Sequence, residues 1–380
     1  MIKKTERLSL VIMALTIISI LSCANTLHTQ NTVEVYPLSD RFNGLFHLGA
    51  AINEDIILGK DLQSKKIVTS EFNSITPENS LKWMFIQPTP NSFDFDAADK
   101  YVELGLKNKM HIVGHALVWH SQLADFMNTS SSSLEFSKHV ENHINTLVSR
   151  YKGKIDAWDV VNEAFNEDGS FRKSVFYNHM GENYIEEVFQ LAQKADPKAD
   201  LIYNDYNLYK PAKLAGVLKM VKRLQANGTK VSAIGAQAHW GLQSPSLNEI
   251  EQIILDISDL GVKVMFTELD ITVLPNPWEL YGAEVSQNFS KFEGDPKMNP
   301  YPKGLPKSVE KQLAKRYEDI FKLFIKHQDK ISRVTFWGVM DKHSWLNDWP
   351  IKGRTNYPLL FDRNYQPKKA YKRVFNLIEN

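Results

Sequence analysis

Two apolar runs in this chain end in a glutamate: WDVVNE, closing at Glu163, and VMFTE, closing at Glu268. Neither run contains a lysine or arginine to neutralise its acid. A carboxylate taken out of water without a partner is costly, so each acid either pairs with a distant base or does chemistry. A pair of carboxyl groups is what hydrolysis of a glycosidic bond needs. One protonates the departing oxygen while the other attacks the anomeric carbon or activates water. The first must hold its proton near neutral pH and the second must stay ionised, so their surroundings have to differ. His239, at the end of a neighbouring apolar run, is a suitable donor to Glu268.

Other apolar runs close on residues of similar kind: Asn53, then Glu78 and Asn79, then His115, Trp119 and His120. Further along come Asn162, then Asp205, Tyr206 and Asn207, then Gln237 and His239, then Asp270, and finally Trp337 with Asp341. Neutral donors, acids, flat aromatics and one lysine suit a sugar, whose ring faces are apolar and whose rim is hydroxyl. There is no phosphate-binding loop and no Ser-His-Asp order. His115 and His120 lie five apart on a strand and its turn, with His120 in a structural role. Neither a metal centre nor a cofactor is expected.

Eight short apolar runs have to position these groups: 46–52, 72–77, 110–119, 154–163, 200–207, 231–240, 262–270 and 332–340. Amphipathic stretches lie between them. In 134–153 the apolar residues Phe136, Val140, Ile144, Leu147 and Val148 recur at three and four, which is helical spacing. Arg150, Lys152 and Gly153 then mark its end. A second clear helix runs over 308–327. Strands alternating with helices imply a parallel sheet, and eight such units imply an α/β fold of the (β/α)8 TIM-barrel type, with active groups at the C-terminal strand ends. An open doubly wound sheet is the alternative, but no GxGxxG follows the first strand.

The chain has 380 residues and a formal net charge of +1, so bulk charge does not argue for nucleic acid or an anionic membrane. Lys3, Lys4 and Arg7 precede an apolar run from Leu8 to Leu21, the layout of an export signal over 1–22. Cys23, the only cysteine, follows Ile20-Leu21-Ser22 in a pattern resembling a bacterial lipobox. A lipid on Cys23 would be the one membrane contact. Residues 23–38 then read as a tether and 39–380 as a single catalytic domain, exported and held at a membrane.

WDVVNEAF, GHALVWHSQ, ENSLKW, YNDYN, GAQAHW, FTELDI and FWGVMDKHSW resemble the signature blocks of glycoside hydrolase family 10, the retaining endo-β-1,4-xylanases. PLLFDRNYQPKKAY near the C-terminus also fits, so the resemblance covers roughly residues 40–378. It implies Glu163 as acid/base and Glu268 as nucleophile. It implies that Asn162 donates to the 2-hydroxyl of the cleaved sugar. Glu78, Asn79 and Lys82 match the block that grips the non-reducing side of the chain. His115 and Trp119 match residues lining the cleaved sugar's site, and Gln237 and His239 the pair flanking the nucleophile. Asp270 would hydrogen-bond His239. Trp337 and Trp345 would form an apolar wall, and Tyr206 a stacking surface on the leaving-group side.

The implied partners are xylan and xylo-oligosaccharides, with the protein acting as a monomer. A cellulase of a related barrel family, or a catalytically dead glycan-binding scaffold, are the competing readings. Strand alternation places Asp159, Val161 and Glu163 on one face, with Asp159 behind the site and orienting His115. Glu167 and Asp168 read as loop solubilisers. The long segment 274–307 follows the seventh strand and is expected to shape the leaving-group side, with Trp278 and Tyr281 as contacts.

Overall fold

The computed structural model of the chain describes residues 37–277, 280, 287 and 289–378. The expected signal, Cys23 and most of the expected tether lie outside the described residues, as do Trp278 and Tyr281. Packing starts at once: Leu38 and Phe42 are fully buried.

The strands are β1 (His47–Ile52), β2 (Ser74–Pro77), β3 (His111–Trp119), β4 (Ala157–Asn162) and β5 (Asp200–Asp205), then β6 (Ala233–Ala236), β7 (His239–Gly241), β8 (Lys263–Thr272) and β9 (Ile331–Phe336). All pairings are parallel. β1 joins both β2 and β9, and β6 joins both β5 and β8, so eight strands close into a barrel. The sixth expected run is split. After β6 the chain turns at Ala238 (φ 69°), and β7 resumes along β8 with His239 opposite Asp270.

Helices ring the barrel because their apolar stripes need cover. In the Ser133–Arg150 helix, Phe136, Val140, Ile144, Leu147 and Val148 are all fully buried, each burial being worth about 1.5–3 kcal/mol. Ser132 starts that helix by accepting from the Glu135 N–H at 3.2 Å, a typical N-cap. The Lys307–Lys326 helix buries Leu313, Tyr317, Ile320, Phe321 and Phe324 in the same way. Gly114 is forced by packing: a Cβ there would lie 2.1 Å from the Trp158 ring.

The barrel interior is uneven. Val113, Ala157, Ile202, Ala233 and Met265 form a small apolar cluster of their own. β9, β1, β2 and the first residue of β3 bring polar groups instead. Arg333 donates to Thr76 Oγ1 at 3.0 Å, and His47 and His111 lie 4.5 Å apart.

Alternation along β4 does not hold to its end. The register shifts between Asp159 and Val161, so Val160 and Val161 both join the apolar layer that includes the helices. Val161 therefore does not share a face with Asp159 and Glu163. Glu163 reaches the barrel mouth through a turn with φ 60°.

Candidate active site

Glu163, just past β4, and Glu268, within β8, are each 5% exposed. Glu163 Oε2 accepts from the Trp119 indole at 2.8 Å, and its Oε1 from Gln237 Nε2 at 2.9 Å. Glu268 Oε1 accepts from Asn204 Nδ2 at 2.8 Å, and its Oε2 contacts His239 Nε2 at 3.1 Å. Asn162 joins the two sides. Its Oδ1 accepts from Asn204 at 3.1 Å and from Gln237 at 3.2 Å. A single amide relay thus runs from one carboxylate to the other.

His239 is held between two acids. Its Nδ1 makes an ion-pair contact with Asp270 Oδ2 at 3.0 Å, and Trp345 donates to the same oxygen at 2.8 Å. Burial alone would lower the His239 pKa. The charge and hydrogen bond of Asp270, followed by those of Glu268, push it up to about 10. Burial likewise works to raise Glu268, but the His239 hydrogen bond, the charges of His115 and His239, and the Asn204 amide outweigh it. Glu268 is held below the usual carboxylate range. The cation and the donors stabilise its charged form, which is what lowers a carboxyl pKa.

The other expected residues surround this pair. His115 Nδ1 meets Asp159 Oδ2 at 2.8 Å, as anticipated, and Trp337 stands edge-on to His115 at 5.3 Å. Lys82 donates to Asn79 Oδ1 at 3.2 Å and Gln122 Oε1 at 2.8 Å, and its ammonium lies 4.8 Å over the Trp119 ring. Burial lowers Lys82 to about 8 against the pull of Glu268, Glu78, Glu163 and Glu54. Burial and then the charge of Glu54 raise Glu78 to about 7, opposed by Lys82.

Two adjoining cavities lie at the barrel mouth, and Glu163 lines the smaller. One, of about 170 Å³, is lined by Glu78, Asn79, Lys82, Trp119, Glu163 and Trp337 among others. The second, of about 320 Å³, is lined by Tyr206, Asn207, Tyr209, Lys210 and Trp349. His239 and Trp345 border both. Asn276, Pro277 and Leu280 also line the larger cavity, so the start of the long segment after β8 does reach this face.

Four non-glycine residues with positive φ sit at successive strand ends: Gln122 (49°), Glu163 (60°), Asn207 (52°) and Ala238 (69°). Such a conformation costs roughly 1–3 kcal/mol and persists only where the surroundings over-determine it. At Glu163 they do. Its N–H donates to Asn204 O at 2.9 Å, and its carbonyl accepts from Arg172 Nε at 3.0 Å.

Four sequence-marked residues serve the scaffold. Asn53 caps a helix by accepting from Ile56 N at 3.2 Å. Asp341 is closed off by Lys368 Nζ at 2.8 Å and by Leu359 N at 2.9 Å. Glu167 is no solubiliser: its side chain is 8% exposed and pairs with Lys210 and Lys213. Asp168 is exposed and turns its loop by accepting from Ser170 N at 2.9 Å.

Sequence reasoning passed over Asn204, Thr267, Gln122, Arg172 and Lys213. Thr267 Oγ1 donates to Asn204 Oδ1 at 2.6 Å and so fixes which way that amide faces. Asn204 carried a usable signal, since it sits two positions before Tyr206 and so points inward with it. Among the described residues no group of three or more His, Cys, Asp or Glu could hold a metal ion. Chemically the site pairs a carboxylate kept ionised by a cation with a second one contacted by neutral donors.

Residues 37–377 match the family described as glycosyl hydrolase family 10. The chain is 42% identical to endo-1,4-beta-xylanase A of Xylanibacter ruminicola over 347 residues, 90% of this chain and 93% of that protein. It is 37% identical to the beta-1,4-xylanase of Dictyoglomus thermophilum, over 89% and 90%. A solved GH10 endoxylanase from a sugarcane soil metagenome superposes with a TM-score of 0.84 at 46% identity, covering 90% of this chain and 99% of that one.

Proposed function

The chain belongs to glycosyl hydrolase family 10, and from that premise we propose that it is an endo-1,4-β-xylanase that hydrolyses internal xylosidic bonds with retention of configuration. The observation that carries the reading is the unequal treatment of two equally buried glutamates joined by one amide relay. Glu268, ionised against His239, attacks the anomeric carbon. Glu163 delivers a proton to the departing oxygen. A glycosyl-enzyme forms, and Glu163, now a base, activates water to release the sugar. Asn162 Oδ1 is occupied by Asn204 and Gln237, while its Nδ2 makes only a 3.4 Å contact with Glu163. That amide therefore donates to the 2-hydroxyl. Glu78, Asn79 and Lys82 grip the non-reducing side, and His115, Trp119, Trp337 and Trp345 enclose the cleaved sugar. Tyr206 lies under the leaving group.

Xylan rather than cellulose is supported by what the relatives are called. Reducing-sugar release should be much faster on xylan than on carboxymethyl-cellulose; comparable rates would overturn the assignment. Proton NMR of fresh product should show β-configured ends first, and initial α product would mean inversion. The N-terminal sequence further supports export and anchoring by a lipid on Cys23. Wild type should then pellet with membranes and a Cys23→Ala protein should not; wild type in the soluble fraction would end that idea.

A further inference from the structure

The roles assigned above leave one cation beside the acid without a task. Arg172 lies half-buried on the loop after β4. That loop is closed by a bridge between Phe165 and Phe171, whose rings stand 4.6 Å apart. The Arg172 backbone N–H donates to Ala164 O at 2.7 Å. Its Nε donates to Glu163 O at 3.0 Å, and its Nη2 to the Tyr206 hydroxyl at 2.8 Å. One rigid guanidinium fork therefore spans two strand ends. It touches the backbone of the acid and the ring assigned to the departing sugar. Lys213 holds that ring from another side, its ammonium 3.4 Å from the Tyr206 centroid and 2.8 Å from Asp205.

We propose that Arg172 is a positioning residue that ties the backbone of Glu163 to the hydroxyl of Tyr206, so that the acid's carboxyl and the seat of the leaving sugar keep one shared geometry. The inference rests on the reading of Glu163 as acid/base. Glu163 is in a backbone conformation that its own residue type disfavours, so its carboxyl direction depends on outside contacts. The guanidinium supplies one of them. It also fixes the platform from which the proton-accepting oxygen departs. A misplacement of about 1 Å at such a site costs on the order of 10²-fold in rate. Lysine carries the same charge but lacks the planar fork, so it cannot span both partners.

The consequence is selective. Arg172 matters where the departing oxygen needs a proton and the departing sugar needs a seat, and matters little where neither holds. The test compares linear xylo-oligosaccharides with an aryl β-xylobioside bearing a good leaving group, in Arg172→Met, Arg172→Lys, Tyr206→Phe and Glu163→Ala proteins. Arg172→Met should lose roughly 10–100-fold in kcat/KM on the oligosaccharide and stay within about threefold in first-step rate on the aryl substrate. Arg172→Lys should behave like Arg172→Met. Tyr206→Phe keeps the ring and should lose roughly 3–10-fold on the oligosaccharide alone, and the Arg172→Met/Tyr206→Phe double variant should be no worse than Arg172→Met. Equal losses on both substrates would mean a merely structural arginine. If Arg172→Met does not fold, Tyr206→Phe decides: selective loss supports the tie, and no loss refutes it. Glu163→Ala separates the two levels. If it fails to discriminate the substrates, the acid/base assignment falls. If it discriminates and Arg172→Met does not, only the present inference falls.

Discussion

Glu163 and Glu268 sit at the same depth, and their neighbours treat them differently. Around Glu163 the donors are an indole and two amides, from Trp119, Gln237 and Asn162, and all are neutral. Around Glu268 there is one amide, from Asn204, and one imidazole that Asp270 keeps charged up to about pH 10. The lesson is that burial does not decide the role of a buried acid. On the proposed reading, the charged imidazole that touches Glu268, backed by Asp270 and joined by the charge of His115, is what suits that carboxylate to attack. On the same reading Glu163, bonded only to neutral donors, is the proton carrier.

Removing the attacking group is the harshest way to break the contrast. Glu268→Ala should lower kcat on every glycoside, natural or activated, by on the order of 10⁵-fold or more. Stopped-flow and steady-state rates would both show it, and substantial residual turnover would mean another nucleophile. Glu163→Ala should cost about 10²–10⁴-fold on xylan. It should spare glycosylation by an aryl glycoside whose leaving group needs no proton, so that a burst of phenol precedes a slow steady state. An equal loss on both substrates would erase the distinction between the two acids.

A milder variant tests the cause of the contrast. His239→Asn removes the cation while leaving a polar side chain, and should reduce kcat near neutral pH by on the order of 10²-fold. It should also move the acid limb of kcat/KM upward. The sign follows from Glu268: the cation holds its carboxyl low, so losing the cation lets that pKa rise and the nucleophile is protonated sooner as pH falls. The same linkage acts on stability. The His239 pKa is raised from 6.5 to about 10, so its contribution is complete below about pH 6.5 and disappears as pH climbs through 10. Thermal melts of wild type should weaken over that range more than those of His239→Asn.

Both carboxylates were legible in the sequence, because an acid ending an apolar run without a base nearby is a rare pattern. All eight barrel strands were legible for the same reason: each run is apolar and closes on a polar or aromatic group. What connects the two acids was not. Asn204 lies mid-run in YNDYN, where strand alternation alone gives an inward face but no partner. Its link to Glu268 comes from a strand 64 residues on. Arg172 sits in a loop whose path depends on two phenylalanines meeting. Alternation also failed at Val161, because a bulge in β4 carries no residue-type mark. Glu167 misled because a glutamate beside Asp168 and Gly169 looks solvated, whereas Lys210 and Lys213 come to it from the next helical unit.

The contrast can be sharpened at its edge, where a second cation faces both acids. Lys82 lies over the Trp119 ring, the donor to Glu163, yet among the acids Glu268 pulls hardest on its charge, then Glu78, and only then Glu163. Its pKa is lowered to about 8, so its ammonium is present below that pH and fades above it. Wild-type kcat/KM on an aryl xylobioside should therefore show a modest decline, about threefold, centred near pH 8, and Lys82→Met should lack it. An unchanged inflection in Lys82→Met would assign that ionisation to another group. Lys82→Met should also raise the acid limb, but by less than His239→Asn, because Lys82 stands off from Glu268 while His239 touches it. Equal shifts in the two variants would mean that the general positive field of the cleft, and not the imidazolium bonded to Glu268, is what separates the two glutamates.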